Sequence, residues 1–500
     1  MALSLGTNFT VVVTEHGDLY AFGTNTNGQL GLGTTENQLL PALVDKVHAF
    51  AGEEVISVSC GRAHSACVTR GDNLFVWGCN EEGQLGLDML VQPVEIIEIP
   101  ASTTADDDTG TTIATTVAPT SSSAPPAIPS PGSLNIVRPV LVPRACFHHA
   151  PVRMVACGQN FTIVLTKYGR VFSTGANDTG QLGHNDKMSR RIFTQIDPAF
   201  FADSTITLIA AGYRHCMALS AEDGALFGWG LNAWCQLGME YRSCVHSGPI
   251  LVPAESFGGA LPVFVDAGDN YTMVVTSDGG LYGCGANRNY QLGLGDNMLG
   301  KRMKRVGDTG KFHGQRVRSV RCGSEHTMIL TDDNTLWACG LSTEPLCGIT
   351  VDRVACHVKV PTRIRHARFH DNDVIVFSAG VSHSAAVTSK GELYTWGEGA
   401  SFQRSYDSKF SGLGLKNSHI QWLPRKVLAA SLGGSRVGRW NGVRQDIILA
   451  FMMVTHKRLG DLSVFQGLSC DVIDIIFAPV CAPNTLGGFE DLLGRLPTSN

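Results

Sequence analysis

Short runs of apolar residues return along the chain, and each is followed by a turn residue and then by an apolar–aromatic pair. The first run is Val11-Val12-Val13-Thr14, and the chain continues through Gly17 to the pair Leu19-Tyr20. A short apolar run bounded by turn residues is typical of a buried β-strand. A second strand then ends at Gly23. The pattern predicts short β-strands joined by tight turns.

The same course is repeated seven times, each time after a glycine that is separated by two residues from a Phe, Tyr or His. Five of the six separations between these anchor glycines are 54 to 57 residues, and one is 97 residues. Equal spacing with one long gap indicates seven repeats and a single insertion. The anchors are Gly6, Gly61, Gly158, Gly212, Gly268, Gly323 and Gly380.

Five of the seven units also carry a loop motif, and several units end on a strand that begins with proline. Asn-x-x-Gly-Gln-Leu-Gly is complete at 25–31, 80–86 and 177–183, and recurs without its first glycine at 232–238 and 287–293. About four short strands in each of seven units predict an all-β fold, a seven-bladed β-propeller. Because the chain begins almost at Gly6, we expect one blade to be completed by strands from both ends, with 424–427 beside the amino-terminal strands.

These motifs resemble the regulator of chromosome condensation repeat, and the resemblance covers roughly residues 1–433 apart from the insertion. It implies a seven-bladed propeller. The functions that it implies are nucleotide exchange on the GTPase Ran, an accessory role in ubiquitin ligases, ultraviolet photoreception, and plain protein-binding scaffolds. A shared fold does not choose among them.

Two segments depart from the repeat. Residues 101–135 are rich in Ser, Thr, Ala and Pro, which predicts a disordered surface insertion. Residues 434–500 predict a short α-helical carboxy-terminal tail, in which 468–477 resembles the opening of an F-box helix. The predicted domains are therefore a propeller over 1–433 and the tail over 434–500.

Composition excludes several classes of protein. A net charge of −5 over 500 residues argues against a polyanion-wrapping protein, so a nucleic-acid partner is not expected. The most apolar stretch, 447–454, is far shorter than the roughly 20 residues of a membrane span. No signal peptide is recognisable, and we expect a cytoplasmic or nuclear location. Fifteen cysteines include no Cys-x-x-Cys pair, and several alternate with alanine, as small buried residues do.

The histidines and tryptophans of the repeat are predicted to be core residues. The position after the anchor loop accepts Phe, Tyr and His alike, so it is a packing position rather than a metal site. We predict no metal and no cofactor. Tryptophan recurs at the end of the second strand of the unit, at Trp77, Trp229 and Trp396. The histidines are His64, His215, His326 and His383.

The two residues after each anchor glycine are candidates for contact with a partner. The resemblance implies that acidic residues and a histidine in these loops face a GTPase; here Asp269 and Glu325 are the only acidic ones, and no histidine lies among them. Tyr213 and Arg214 occupy the loop nearest to the photoreceptor motif but lack its tryptophan. The alternative is that the two acidic residues are ordinary solvated residues.

Two basic runs follow the Gln-Leu-Gly loops of the third and fifth units. The simpler interpretation is that they are solvated surface loops without a partner. Equivalent positions on two blades should point to one side of the ring, where they would dock an acidic peptide or a phosphate backbone. The residues are Lys187, Arg190, Arg191, Lys301, Arg302, Lys304 and Arg305.

No catalytic motif is present: the chain has no Gly-x-x-x-x-Gly-Lys-[Ser/Thr], no Gly-x-Ser-x-Gly and no His-Glu-x-x-His. The first hypothesis is therefore a non-catalytic scaffold that binds protein partners through its loop faces. The second is a guanine nucleotide exchange factor for a Ran-like small GTPase. The third is a ubiquitin-ligase adaptor that uses the F-box-like tail to bind a ligase component.

Overall fold

The computed structural model describes residues 2–88, 135–220, 223–239, 243–307, 312–341, 345–349, 357–397, 413–415 and 421–427. The predicted tail lies outside these residues, and so does the predicted insertion up to residue 134. Asn135, the last residue of that insertion, already begins a strand. The predicted disorder and the predicted tail helices therefore stay predictions.

The described residues form seven antiparallel sheets of four strands, which confirms the seven-bladed propeller. Blades 1 to 4 contain β1 (Ala2–Leu5), β2 (Phe9–Val13), β3 (Leu19–Gly23) and β4 (Gln38–Val44); β5 (Val55–Cys60), β6 (His64–Thr69), β7 (Leu74–Cys79) and β8 (Asn135–Val142); β9 (Val152–Cys157), β10 (Phe161–Thr166), β11 (Val171–Gly175) and β12 (Arg190–Gln195); β13 (Ile206–Ala211), β14 (His215–Ser220), β15 (Leu226–Leu231) and β16 (Val245–Leu251).

The other three blades have the same strand order. They contain β17 (Pro262–Ala267), β18 (Tyr271–Thr276), β19 (Leu281–Gly285) and β20 (Gly300–Arg305); β21 (Val317–Cys322), β22 (His326–Thr331), β23 (Leu336–Gly340) and β24 (Val358–Arg363); β25 (Val374–Ala379), β26 (His383–Thr388), β27 (Leu393–Gly397) and β28 (Gln421–Lys426). The first strand of each blade contacts the first strands of its neighbours and surrounds a central channel, so the fourth strand forms the outer rim.

The predicted completion of one blade by both chain ends is wrong. β1 pairs with β2 in blade 1, and β28 pairs with β27 in blade 7, so every blade comes from one continuous stretch of chain. The ring closes through side chains instead. The hydroxyl of Thr10 lies 2.8 Å from Nε2 of His383, and the Ser382 hydroxyl donates to the carbonyl of Thr7.

Short helical segments connect consecutive blades, and a phenylalanine of the connection packs against the next blade. Phe50 of helix α1 (Lys46–Phe50) meets Phe75 edge-to-face at 5.4 Å, and Phe201 meets Trp229 at 5.9 Å. These contacts explain the aromatic positions of the repeat. Four of the described connections are the 3-10 helices Arg144–Phe147, Pro198–Phe201, Ala254–Phe257 and His366–Phe369. A further 3-10 helix, Pro345–Cys347, lies within blade 6, between β23 and β24.

The Gln-Leu-Gly loop is a joint between blades. The carbonyl of Gln181 in blade 3 accepts a hydrogen bond from the indole of Trp229 in blade 4 at 2.9 Å and from the thiol of Cys216 at 3.3 Å. In blade 5, Thr272 and Cys284 donate in the same way to Gln236. A hydroxyl or thiol on the second strand, and an indole or thiol on the third, therefore recur because each satisfies a buried carbonyl of the preceding blade.

The four repeat histidines form part of the same joint, which supports their prediction as core residues. His215 Nε2 lies 3.0 Å from the hydroxyl of Thr272, whose own hydrogen goes to the carbonyl of Gln236. The imidazole must therefore donate from Nε2, which leaves Nδ1 as an acceptor. In His64, His215, His326 and His383 alike, Nδ1 is buried without a partner.

The anchor glycine is required by this packing. A Cβ on Gly212 would lie 2.3 Å from Cε1 of His215 and 2.4 Å from the carbonyl oxygen of Gly268 in the next blade. A backbone oxygen cannot move away as a flexible side chain would. The spacing from glycine to ring is thus a steric requirement of the channel wall.

Candidate functional site

One end of the central channel is surrounded by the seven anchor loops, and we call this end of the ring the anchor face. The channel mouth has a volume of about 110 Å³ and is lined by the anchor glycines and the residues on either side of them. The Asn-x-x-Gly-Gln-Leu-Gly loops lie on the same face, where Asp178 of one such loop accepts from Arg214 of an anchor loop at 2.6 Å. Partner contacts predicted for the anchor loops therefore share one surface.

Asp269 and Glu325 lie together at the junction of blades 5 and 6. The Ser324 hydroxyl donates to Asp269 Oδ2 at 2.6 Å. Burial raises the pKa of Asp269, and the neighbouring charge of Glu325 raises it further against the lowering effect of the Ser324 bond. Burial likewise raises the pKa of Glu325, although Asn289 stabilises its carboxylate by a hydrogen bond. Two partly desolvated carboxyl groups thus adjoin without a cation between them in the described structure.

Tyr213 and Arg214 are held in a polar network at the junction of blades 3 and 4. Gln159 donates to the Tyr213 hydroxyl at 2.6 Å and accepts from Arg214 at 3.1 Å. Arg214 also pairs with Asp178 at 2.6 Å. Since its guanidinium already has two partners in the ring, we expect Arg214 to brace the anchor face rather than attract an anion.

Trp234 and Arg288 are surface residues that the sequence motifs do not single out. They belong to the Asn-x-x-Gly-Gln-Leu-Gly loops of blades 4 and 5, and the Arg288 guanidinium lies 5.0 Å from the centre of the Trp234 ring. Arg288 is followed by Asn289, the partner of Glu325. A continuous surface therefore runs from the two carboxyls to an exposed arginine stacked on a half-buried tryptophan.

The same two loops are strained where the repeat has glycine. Cys235 and Tyr290 replace the first glycine of the motif, with φ values of 58° and 62°. A side chain in this left-handed region costs about 1 kcal/mol or more, so it persists only where something compensates. The Tyr290 ring lies 5.5 Å from that of His357 and 5.4 Å from the ammonium of Lys359. The missing glycines were the sequence signal for this sector.

We expect Tyr290→Gly to stabilise the fold while weakening any partner bound to this sector. Glycine removes the positive-φ strain of about 1 kcal/mol and restores the repeat, but it deletes an aromatic contact surface. Chemical denaturation measures the first effect. Gly180→Tyr in blade 3, at the equivalent position, is the converse control and should destabilise. A Tyr290→Gly protein less stable than wild type would contradict the prediction.

The predicted basic loops lie mostly in strands, which corrects their placement. Lys187 precedes a strand, whereas Arg190 and Arg191 belong to β12 and the run from Lys301 to Arg305 belongs to β20. Both strands are the outermost of their blades. The two runs do occupy equivalent positions, but on the rim of the ring.

Neither a metal-binding cluster nor a membrane-spanning helix is found in the part of the chain that the structure describes. No group of three or more His, Cys, Asp or Glu side chains there is arranged to hold a metal ion. No helix within the described ranges has the length and hydropathy to cross a bilayer. Burial raises the pKa of the channel thiols Cys60 and Cys157 to about 12, so they are not reactive thiolates.

The ring is a repeat propeller, defined by seven four-stranded blades, a repeated glycine that lines the channel and aromatic contacts between blades. Comparison with protein families gives the same class. The model of the regulator of chromosome condensation (RCC1) repeat matches residues 16–68, 168–219, 223–275 and 278–330. A second model of the same description matches seven segments: 2–29, 55–84, 152–181, 206–233, 263–291, 317–344 and 374–403. The chain belongs to the RCC1 repeat family.

Individual relatives differ in what they are named for. The Arabidopsis thaliana RCC1 domain-containing protein RUG3, mitochondrial, is 27% identical over 83% of this chain and 87% of the relative. The mouse secretion-regulating guanine nucleotide exchange factor is 30% identical over 76% of this chain, which spans 59% of that protein. The crystal structure of Prp20p from Saccharomyces cerevisiae, described with its binding to Gsp1p and histones, has a TM-score of 0.63 at 22% identity and covers 84% of this chain and 87% of Prp20p.

Proposed function

We propose that this propeller is a protein-binding scaffold, and that its partner docks on the anchor face over blades 4 to 6. The observation that carries the proposal is the pair of partly buried carboxyls, Asp269 and Glu325, with no basic residue of the described ring to neutralise them. A basic side chain from a partner would stabilise the charged form of both groups. Such a pair gains most when water is excluded around it.

The neighbouring residues suit the same role. Interface hot spots are enriched in Trp, Tyr and Arg. Trp234, Tyr290 and Arg288 gather beside the carboxyls, and two of their loops keep strained backbones. Deviations from a repeat that collect in one sector indicate selection for something other than the repeat itself. No catalytic motif accompanies them, which favours binding over chemistry.

We expect Asp269→Asn with Glu325→Gln to abolish partner binding without unfolding the ring. Both amides are isosteric with the carboxyls they replace, and the amide oxygen introduced by Asp269→Asn would still accept from Ser324. Removing two carboxylates that meet a cation in a desolvated interface costs roughly 2–5 kcal/mol, or a 30-fold or greater loss of affinity. Affinity purification with quantitative mass spectrometry measures it. Lys187→Gln with Lys390→Gln is the control and should retain the partner; equal recovery with both pairs would sink the proposal.

A second candidate is nucleotide exchange on a Ran-like GTPase. Its support is the adjacency of the two carboxyls, which would compete for a nucleotide-bound Mg²⁺ or pair with a basic patch, together with a relative named as an exchange factor. The test is release of labelled GDP from purified Ran with and without the full chain. Unchanged release rejects exchange but leaves the scaffold proposal standing. Accelerated release that Asp269→Asn abolishes would support it.

The adaptor hypothesis depends on residues 434–500, which lie outside the described part of the chain. Nothing in the ring bears on it, so it remains a prediction from the F-box-like segment 468–477. Comparing the proteins that co-purify with the full chain and with a chain ending at residue 434 tests it. Cullin-ligase components lost on truncation would support it. Cytoplasmic or nuclear placement likewise remains a prediction, since one relative is named as mitochondrial.

A further inference from the structure

The rim of the ring is strongly asymmetric in charge. The seven outermost strands contain no Asp or Glu, and most of their Lys and Arg side chains belong to β20, β24 and β28 in blades 5 to 7. β20, with the sequence Gly-Lys-Arg-Met-Lys-Arg, carries four of them, all exposed around a buried Met303. This rim lies away from the channel mouth and therefore forms a second surface, distinct from the anchor face.

The two basic runs differ in how many of their charged side chains form ion pairs within the ring. In β12, Arg190 pairs with Asp186 at 2.8 Å and Arg191 with Asp88 at 2.5 Å. In β20, Lys301 and Lys304 form no ion pair with any residue that the structure describes, and Arg305 meets Asp278 at 3.2 Å. The guanidinium charges of β12 are therefore balanced by carboxylates of the ring, whereas the ammonium groups of Lys301 and Lys304 in β20 are available to a partner.

β20 also keeps a main-chain N–H at a position where five other outer strands have none. The position of Met303 is occupied by proline in five blades, at Pro41, Pro139, Pro249, Pro361 and Pro424. Because proline has no N–H, the ladder to the third strand does not use the amide at this position, which faces outward from the sheet. β20 retains that amide. β12 retains its own through Phe193, but there Ile192 is bridged to Leu87 of blade 2.

We propose that β20 accepts an extended acidic segment of a protein partner as a fifth strand of blade 5. Main-chain hydrogen bonds to the outer edge of β20 would supply affinity, and carboxylates of the segment would pair with the exposed ammonium groups of Lys301 and Lys304. Lysines on an edge strand repel another basic strand, so β20 of a second copy is not the occupant. A nucleic acid would bind the basic side chains without needing the main-chain amide of Met303. Dependence on that amide therefore distinguishes an acidic peptide from a nucleic acid.

The test measures the binding of a fluorescently labelled ten-residue peptide, with alternating glutamate and threonine, to the full chain. Binding is recorded as fluorescence anisotropy at low salt. The double variant Lys301→Glu with Lys304→Glu should bind at least tenfold more weakly. Met303→Pro leaves the net charge unchanged and copies five other blades, and it should weaken binding at least fivefold. The matched control, Lys187→Glu with Lys390→Glu, makes the same change in net charge elsewhere and should bind as wild type does.

Several outcomes would overturn the proposal. They are the absence of saturable peptide binding, wild-type affinity in a folded Met303→Pro protein, and tighter binding of a single-stranded DNA oligonucleotide of the same charge that Met303→Pro leaves unchanged. If Met303→Pro lowers the melting temperature severely, a peptide N-methylated on one edge replaces it. That peptide should lose binding to the wild-type chain if strand addition holds, and undiminished binding would refute it.

Discussion

Acidification from pH 7 to about 4.5 should unfold this propeller, and most of the loss should come from four side chains that carry no charge in the folded ring. Burial lowers the pKa of His64 to about 4 and the pKa values of His215, His326 and His383 to about 3. Protonation would also place a hydrogen on Nδ1, which has no acceptor in any of the four.

The direction follows from linkage. An unfolded histidine titrates near 6.5, so below that pH the unfolded chain binds protons that the folded ring refuses. Each buried histidine therefore removes about 1.4 kcal/mol of unfolding free energy per pH unit between 6.5 and its folded pKa. Asp269 and Glu325 act oppositely, because their raised pKa values let the folded state bind protons first. The pH dependence of the unfolding free energy of the wild-type protein is therefore the sum of these opposing contributions.

A paired variant isolates one histidine. Blades 3 and 4 already join through Phe161 and Cys216 where blades 4 and 5 use His215 and Thr272. The double variant His215→Phe with Thr272→Cys copies that junction, and it should reduce the slope of unfolding free energy against pH by about 1.4 kcal/mol per unit. Urea denaturation at several pH values measures this slope. A slope identical to that of wild type would show that His215 is not buried in its neutral form.

Trp229→Ala should lower the unfolding free energy by roughly 3–5 kcal/mol, as full truncation of a buried aromatic side chain does. The indole is fully buried, meets Phe201 at 5.9 Å and donates to the carbonyl of Gln181 at 2.9 Å. Truncation therefore leaves a cavity between blades 3 and 4 and strips one donor from a buried carbonyl that Cys216 still reaches.

Trp229→Phe separates the two contributions, because it keeps an aromatic ring but removes the N–H. It should cost less than alanine, in the range of about 1–3 kcal/mol for a buried polar group that loses a partner and some packing. Denaturant unfolding of the full chain gives both values. The control is Tyr168→Ala on an exposed turn, which should change stability little. A Trp229→Ala protein as stable as this control would show that the Trp229 contacts between blades 3 and 4 do not stabilise the ring.

The fold could be predicted from sequence because the joints use local, repeated residue types, whereas ring closure could not. The four residues Ala2–Leu5, just before Gly6, suffice for a complete innermost strand. The repeat does not reveal at which strand a unit starts. The spacing therefore predicts that blade 1 needs a strand from the other end of the chain, although it needs none.

The candidate site was predicted only in part. Asp269 and Glu325 stand at equivalent positions on successive blades, so their adjacency follows from the repeat. Their raised pKa values depend on burial at the junction of blades 5 and 6, which no spacing encodes. Trp234 and Arg288 meet across two blades, and nothing in either loop alone indicates the contact. The irregularity of the loops, rather than any motif, was the usable signal.

The closure of the ring without strand exchange has a mechanical consequence. Six junctions join blades that are also covalently consecutive, so two parted blades stay tethered at high effective concentration and re-dock quickly. Between blades 7 and 1, the described residues are held by packing and by hydrogen bonds of His383 with Thr10 and of Ser382 with Thr7 and Asn8, without a direct covalent connection. Transient opening of the ring should therefore occur mainly at the junction of blades 7 and 1. Amides of β1 and β25 are expected to exchange with deuterium before those of the innermost strands opposite.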